Sequence, residues 1–287
     1  MGEITEALRR ARAEREAATR SSAADKAAAP PSPAVARAAA MEPVQAPVAI
    51  PRRREGFWQA RAVHMERPGA VAERFRHLAV RVRRELEPLG GRTLLVASSL
   101  REEGKTVTAC NLALALASMA SERRIALLDL DLRRPSVARA MAVAPKIGIE
   151  QVLRGEASLG SARLRTDVAS LDLYLAAQPM RHAHEALSTP ALPRVLAELR
   201  EQYSVVVTDT PPVLLVPDVP LVAPEFDACL VVARVGKTTR SAFQDMLGLL
   251  PRDKLLGGFL NQVRAAAHRA EYGYYLGGQD AGPQDEA

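Results

Sequence analysis

Short runs of nearly pure hydrocarbon, separated by stretches of helical periodicity, do most to restrict how this chain can fold. Residues 93–97 (TLLVA), 124–128 (RIALL), 205–207 (VVV), 228–235 and 255–263 are such runs, and 171–176 is a weaker one. A strand wetted on one face alternates apolar with polar residues, whereas an uninterrupted run suits a strand covered on both faces. Between the runs, 106–119 is rich in Leu and Ala and reads as a helix, as does 191–202. Strands alternating with helices predict an α/β protein: a mostly parallel sheet with helices on both faces. Upstream, 71–86 sets Phe75, Leu78 and Val82 at core spacing on one helix, and Gly90-Gly91 marks where that helix gives way to the sheet.

The ends have a different texture. Residues 1–17 put Ile4, Leu8 and Ala11 on one helical face, a thin stripe that makes a marginal amphipathic helix. Residues 18–60 are mainly Ala, Pro, Ser and Arg, with Pro30, Pro31 and Pro33 close together and Trp58 marking the return of large apolar groups. So few large side chains cannot offset the entropy of ordering, and the segment is predicted to be a disordered linker. Residues 61–264 are then the folded domain, and 265–287, rich in Gly, Gln and Asp, a mobile tail.

Aromatics make up only 4% of the chain, so its core must be built from Ala, Leu and Val. Cys110 and Cys229 each sit inside an apolar run, which reads as buried thiols in a reducing compartment rather than a disulfide scaffold or a metal site. No stretch approaches the ~18 apolar residues of a membrane span, and the N-terminus lacks the apolar core of a signal peptide. The expectation is a soluble, cytoplasmic protein. Lys+Arg is 39 against 33 Asp+Glu, a net +6 carried by arginine. In so Ala- and Arg-rich a chain this reads as compositional bias before it reads as a nucleic-acid or acidic-lipid footprint.

The chemistry gathers after the first strand. Ser99-Leu-Arg-Glu-Glu-Gly104-Lys105-Thr106 has the spacing of a phosphate-binding loop, with serine where the first glycine usually stands, and it opens a helix. Backbone amides converging at a helix N-terminus attract phosphate oxygens. Gly104 lets the backbone approach, Lys105 can reach the β- and γ-phosphates, and the Thr106 hydroxyl can ligate Mg²⁺. A second Gly-Lys-Thr, Gly236-Lys237-Thr238, directly follows a strand and has no room for such a loop, so it is read as a coincidence. Asp129 and Asp131 stand at the carboxyl end of the second strand and Asp209 at that of another. Ligands of open α/β sheets bind at these strand ends. A single such aspartate is commonly a turn or cap residue; three beside a phosphate loop point to a nucleotide site.

The phosphate loop, the segment Asp129-x-Asp131-x-Arg133-x-Pro135 and Asp209-Thr210-Pro211-Pro212 together resemble the bacterial tyrosine kinases of capsule and exopolysaccharide synthesis (BY-kinases). That family shares the P-loop branch of the MinD and ParA ATPases. The resemblance spans about residues 70–275 and implies a P-loop NTPase fold that transfers phosphate from ATP, with Mg²⁺, to tyrosine. It implies that Ser99, Glu103, Gly104, Lys105, Thr106 and Val107 surround the phosphates and that Thr106, Asp129 and Asp209 serve the metal. Asp131, or the Asp129/Asp131 pair, would orient and deprotonate the acceptor tyrosine, with Lys105 and Asp209 completing the catalytic set. Arg133 would stabilise phosphoryl charge, the plain alternative being a solvated arginine or a salt-bridge partner for the loop. Asn261 matches the family position at the adenine, or is a strand-end turn residue. Tyr272, Tyr274 and Tyr275 match the family's phosphoacceptor cluster, the plain alternative being an aromatic anchor folded onto the core.

The chain also departs from the pattern. Leu100 replaces the signature lysine of MinD and ParA, Arg101-Glu102 replaces the usual Pro-Gly, and the oligomerisation motif E-x-x-R-x-x-R retains Glu73 and Arg76 but has Ala79 at its third position. Implied partners are a separate transmembrane polysaccharide co-polymerase that recruits the chain to the inner face of the cytoplasmic membrane, further copies of itself in a homo-oligomer, and a cognate tyrosine phosphatase, with no nucleic acid. A MinD/ParA-like ATPase switch and a degenerate nucleotide-binding module are the competing readings.

Overall fold

The computed structural model describes residues 45–50, 70–120 and 124–263; the expected N-terminal helix, Trp58 and the tyrosine tail lie outside them. The strands are β1 (Gln45–Val48), β2 (Thr93–Ser98), β3 (Ile125–Asp129), β4 (Leu164–Thr166), β5 (Leu171–Tyr174), β6 (Val205–Asp209), β7 (Ala228–Arg234) and β8 (Leu255–Asn261). They form one sheet in the order β1-β4-β5-β3-β6-β2-β7-β8. Every neighbouring pair is parallel except β4 with β5. The fold is therefore the α/β arrangement that the apolar runs predict.

The helices are α1 (Ala70–Leu86), α2 (Lys105–Ser118), α3 (Val137–Ala140), α4 (Ile149–Leu153), α5 (Leu159–Ala162), α6 (Ala183–Leu187), α7 (Ala191–Gln202), α8 (Asp218–Val222) and α9 (Arg240–Leu249). Successive strand residues face opposite sides. Leu94, Val96, Ile125, Leu127, Val205 and Val207 pack with α1, α2 and α3, while Leu95, Ala97, Ala126, Leu128 and Val206 pack with α4 to α9. Both faces are dry, which explains why these strands carry no polar alternation. No helix among the described residues is long and apolar enough to cross a membrane.

The differences from the sequence reading have local causes. Strands β2, β3 and β6 run on into polar residues, because the ladder pairs Ser98 with Val232 and Asp129 with Asp209. Strand β1 lies inside the stretch read as linker. It adds a parallel edge beside β4, tied by the Asp167 N–H to the Val48 carbonyl (3.1 Å) and the Ile50 N–H to Asp167 Oδ1 (3.0 Å). An edge strand tolerates Pro47, which has no N–H to give to a ladder. Helix α9 was not anticipated, although its N-cap signal is present: Thr239 Oγ1 accepts the Ala242 N–H at 3.2 Å. On α1, Ala79 is fully buried, and Glu73 pairs with Arg76 one turn away. The third position of the oligomerisation motif thus faces the core here.

Candidate nucleotide site

The sheet order decides where the acids meet. Strand β6 lies between β2 and β3, so the loop after β2 and the carboxyl ends of β3 and β6 emerge side by side. Gly104, at φ 99°, turns the chain into α2, and no side chain caps that helix. The N–H groups of a first helical turn have no acceptor within the helix, so α2 aims donors and its positive dipole end at the loop. Any Cβ at Gly104 would lie 2.0 Å from Asn261 Nδ2, so the sharp bend and the close packing both require glycine.

Lys105 reaches into the acids. Its Nζ lies 3.4 Å from Asp131 Oδ2 and 3.6 Å from Asp209 Oδ1, with its side chain nearly buried. Burial opposes its charge, but Asp209, Asp131 and Asp129 outweigh it and hold the ammonium pKa above the usual lysine value. Thr106 donates its hydroxyl to Asp209 Oδ2 (2.7 Å) and lies 3.0 Å from Ser136 Oγ. With its proton committed to Asp209, Thr106 accepts from Ser136.

The carboxylates outnumber their counter-charge. Burial first, then Asp209 and Asp131, push Asp129 well above the ordinary carboxylate range. Asp209 is pushed up by burial despite Lys105 and the Thr106 hydroxyl. Asp209 Oδ1 is buried and accepts no hydrogen bond. A hydroxyl and a carboxylate side by side, an orphaned carboxylate oxygen and unbalanced negative charge fit Mg²⁺, which takes one or two carboxylates and completes its shell with water and phosphate.

The other predicted residues are placed as follows. Asp131 Oδ1 accepts the Arg134 N–H at 3.1 Å, leaving Oδ2 toward Lys105. Asp129 is fully buried, and its two oxygens accept the N–H groups of Asp131 (3.0 Å) and Val137 (3.2 Å), so it shapes its own loop. Ser99 turns its hydroxyl inward, 3.8 Å from the Met246 sulfur, while its carbonyl holds the Leu214 N–H at 3.2 Å. Val107 is half-buried in the first turn of α2. Asn261 donates to the Glu103 carbonyl at 3.1 Å and accepts from the Gln262 N–H at 2.8 Å, so it rests on the phosphate loop. The phosphoacceptor candidates Tyr272, Tyr274 and Tyr275 lie outside the described residues.

Arg133 grips buried Asp218 with two bonds, Nε to Oδ2 (2.7 Å) and Nη2 to Oδ1 (2.9 Å), and donates to the Arg181 carbonyl at 3.3 Å. Its partner is Asp218, not a residue of the phosphate loop. Glu102, a worrying acid so near the phosphates, points outward to Lys237 Nζ at 2.5 Å, and that lysine lowers its pKa. Sequence reasoning missed Ser136, although a hydroxyl directly after Pro135 was there to be noticed. Nothing in the sequence ties Asp218 to Arg133.

No family model matches the chain. Over 197 residues it is 32% identical to the succinoglycan biosynthesis transport protein ExoP of Rhizobium meliloti, covering 67% of this chain and 25% of ExoP. Over 231 residues it is 27% identical to the tyrosine-protein kinase YwqD of Bacillus subtilis, covering 79% of this chain and 96% of YwqD. The chain thus spans about a quarter of one relative and nearly the whole of the other. The kinase domain of the Escherichia coli tyrosine kinase ETK shares the fold, with a TM-score of 0.66 at 22% identity over 77% of this chain and 91% of that domain. The chain is thus similar in sequence to named bacterial tyrosine-protein kinases and shares the fold of one of their kinase domains.

Proposed function

We propose that the chain is a protein-tyrosine kinase that transfers the γ-phosphoryl group of ATP to tyrosine and so regulates exopolysaccharide or capsule assembly. One observation carries this reading: Lys105, Thr106, Asp131 and Asp209 meet at the mouth of one glycine-bent loop, in a chain whose relatives include named tyrosine-protein kinases. Phosphoryl transfer needs little covalent work from the protein; positioning and charge neutralisation supply most of the rate. The α2 N-terminus and Lys105 would hold the phosphates, and Thr106 with Asp209 would hold Mg²⁺. Held there, Mg²⁺ would supply positive charge to offset that of the phosphates. Asp131, whose Oδ2 faces the cleft lysine, would take the proton from the attacking tyrosine hydroxyl.

The tail tyrosines Tyr272, Tyr274 and Tyr275 are the natural first acceptors, offered by a second copy of the chain. Residues 61–264 with the edge strand β1 form the kinase domain of this scheme, and the segment before β1 is its tether. A separate membrane-embedded co-polymerase would bring it to the inner face of the membrane, and a phosphatase would reset the tail. Incubation with labelled ATP and Mg²⁺ tests the reading. Phosphotyrosine should form in the wild type, fall at least about 100-fold in Asp131→Asn and vanish from the chain when the three tail tyrosines become Phe. ATP hydrolysis without phosphotyrosine would instead favour an ATPase switch, and undiminished labelling of Asp131→Asn would reject the assigned base.

A further inference from the structure

The turn after β7 carries the second Gly-Lys-Thr, Gly236-Lys237-Thr238, and it does not stand apart from the nucleotide site. Thr238 Oγ1 accepts the Arg234 N–H at 2.8 Å, which leaves its single proton to donate, and it donates to Glu103 Oε1 at 2.5 Å. Glu103 is fully buried. Its other oxygen, Oε2, accepts the Leu100 N–H at 2.8 Å, closing the phosphate loop upon itself. Outside this bond the grip is repeated. Arg234 Nη1 donates to the Glu102 carbonyl at 2.9 Å, and Lys237 Nζ meets the Glu102 carboxylate. Glu102 is held at φ 61°, a left-handed conformation that costs a non-glycine residue energy and persists only where neighbours enforce it.

We infer that Thr238, seconded by Arg234 and Lys237, is a positioning residue for the phosphate loop. The loop has Ser99 at the first-glycine position of a phosphate-binding loop and Arg101-Glu102 within it, and a clasp from the β7–α9 turn sets its shape. Thr238 touches neither metal nor reacting atoms in this scheme. It acts through Glu103, which fixes the Leu100 amide and with it the curvature of the backbone ahead of Gly104. The inference rests on the nucleotide-binding reading above and adds a determinant of affinity to it.

The test is Mg²⁺–ADP binding by titration calorimetry, paired with steady-state kinetics, on the full chain. Thr238→Val keeps the shape but leaves buried Glu103 Oε1 without a donor. The dissociation constant and the ATP KM should rise about tenfold, equivalent to about 1.4 kcal/mol, with kcat at saturating ATP changed less than about twofold. Thr238→Ser should restore wild-type binding, which a general loss of packing would not. Lys237→Met, on a partly exposed side chain, should raise the dissociation constant about two- to threefold and covers the case in which Thr238→Val fails to fold. Wild-type binding with Thr238→Val equally tight, or a fall in kcat with unchanged KM, overturns the clasp while leaving the nucleotide site intact. A wild type that binds no Mg²⁺–ADP overturns both.

Discussion

Replacing Lys105 by Met removes the cation that the structure sets between Asp131 and Asp209, at 3.4 and 3.6 Å. With an effective dielectric of about 20, each contact is worth about 4–5 kcal/mol before the lysine's own desolvation is subtracted. Removing one member of a buried ion pair typically costs about 3–5 kcal/mol, because the remaining charge stays buried and uncompensated. That range is the expected loss of stability in the ligand-free protein at neutral pH, a large share of a domain's total. The loss must depend on pH in a defined direction. Asp129 and Asp209 already have pKa values above 3.8 in the folded state. Groups raised in this way stabilise the fold fully below their unfolded pKa, and that contribution is lost as pH rises through the folded pKa. Without the ammonium both acids move further up, so the deficit of Lys105→Met should be greatest at neutral pH and shrink as pH falls toward about 5. Urea unfolding of wild type and variant across this range measures it. An equal deficit at both ends, or none at neutral pH, would refute the view that Lys105 is the counter-ion of the acid cluster.

Three further outcomes follow from the same geometry. Gly104→Ala should destabilise the protein by about 2 kcal/mol and abolish nucleotide binding, since its Cβ would sit 2.0 Å from Asn261 Nδ2 at a φ of +99°; adding Asn261→Ala should recover part of the stability in urea unfolding but not the conformational cost. Arg133→Ala should cost about 3 kcal/mol by stranding buried Asp218, and a double-mutant cycle with Asp218→Ala should return most of it as coupling. Binding of Mg²⁺–ADP should release protons and tighten as pH rises toward neutrality, because Asp129 and Asp209 hold protons more strongly than usual until the metal displaces them; calorimetry in buffers of different ionisation enthalpy reads this, and a buffer-independent heat would contradict it.

The parts of the fold that were legible in the sequence are those dictated by burial. An uninterrupted apolar strand needs cover on both faces, and Leu94 to Ala97 divide their side chains between the two cores as that requirement demands. The site was legible where a residue type has few uses: Gly104 before a helix, Lys105 within it, and acids at the ends of adjacent strands. What sequence spacing could not supply was the direction of individual side chains. Asp129 and Asp131 share a strand end, yet one ties backbone N–H groups and the other meets Lys105. Arg133 turned to Asp218, more than eighty residues away along the chain. The second Gly-Lys-Thr was dismissed because it cannot cradle phosphate by itself, and contact with Glu103 arises only when β7 and β2 pair. Strand β1 is short and contains a proline, so no periodicity marks it within an Ala/Pro-rich stretch.

The most direct test of the central claim is a crystal structure with Mn²⁺ in place of Mg²⁺ and a non-hydrolysable ATP analogue, read by anomalous scattering. The account predicts a manganese peak beside Thr106 Oγ1 and the Asp209 carboxylate, with Lys105 Nζ drawn from the acids to the phosphates. A metal bound elsewhere, or phosphates lying away from the Gly104 bend, would contradict it.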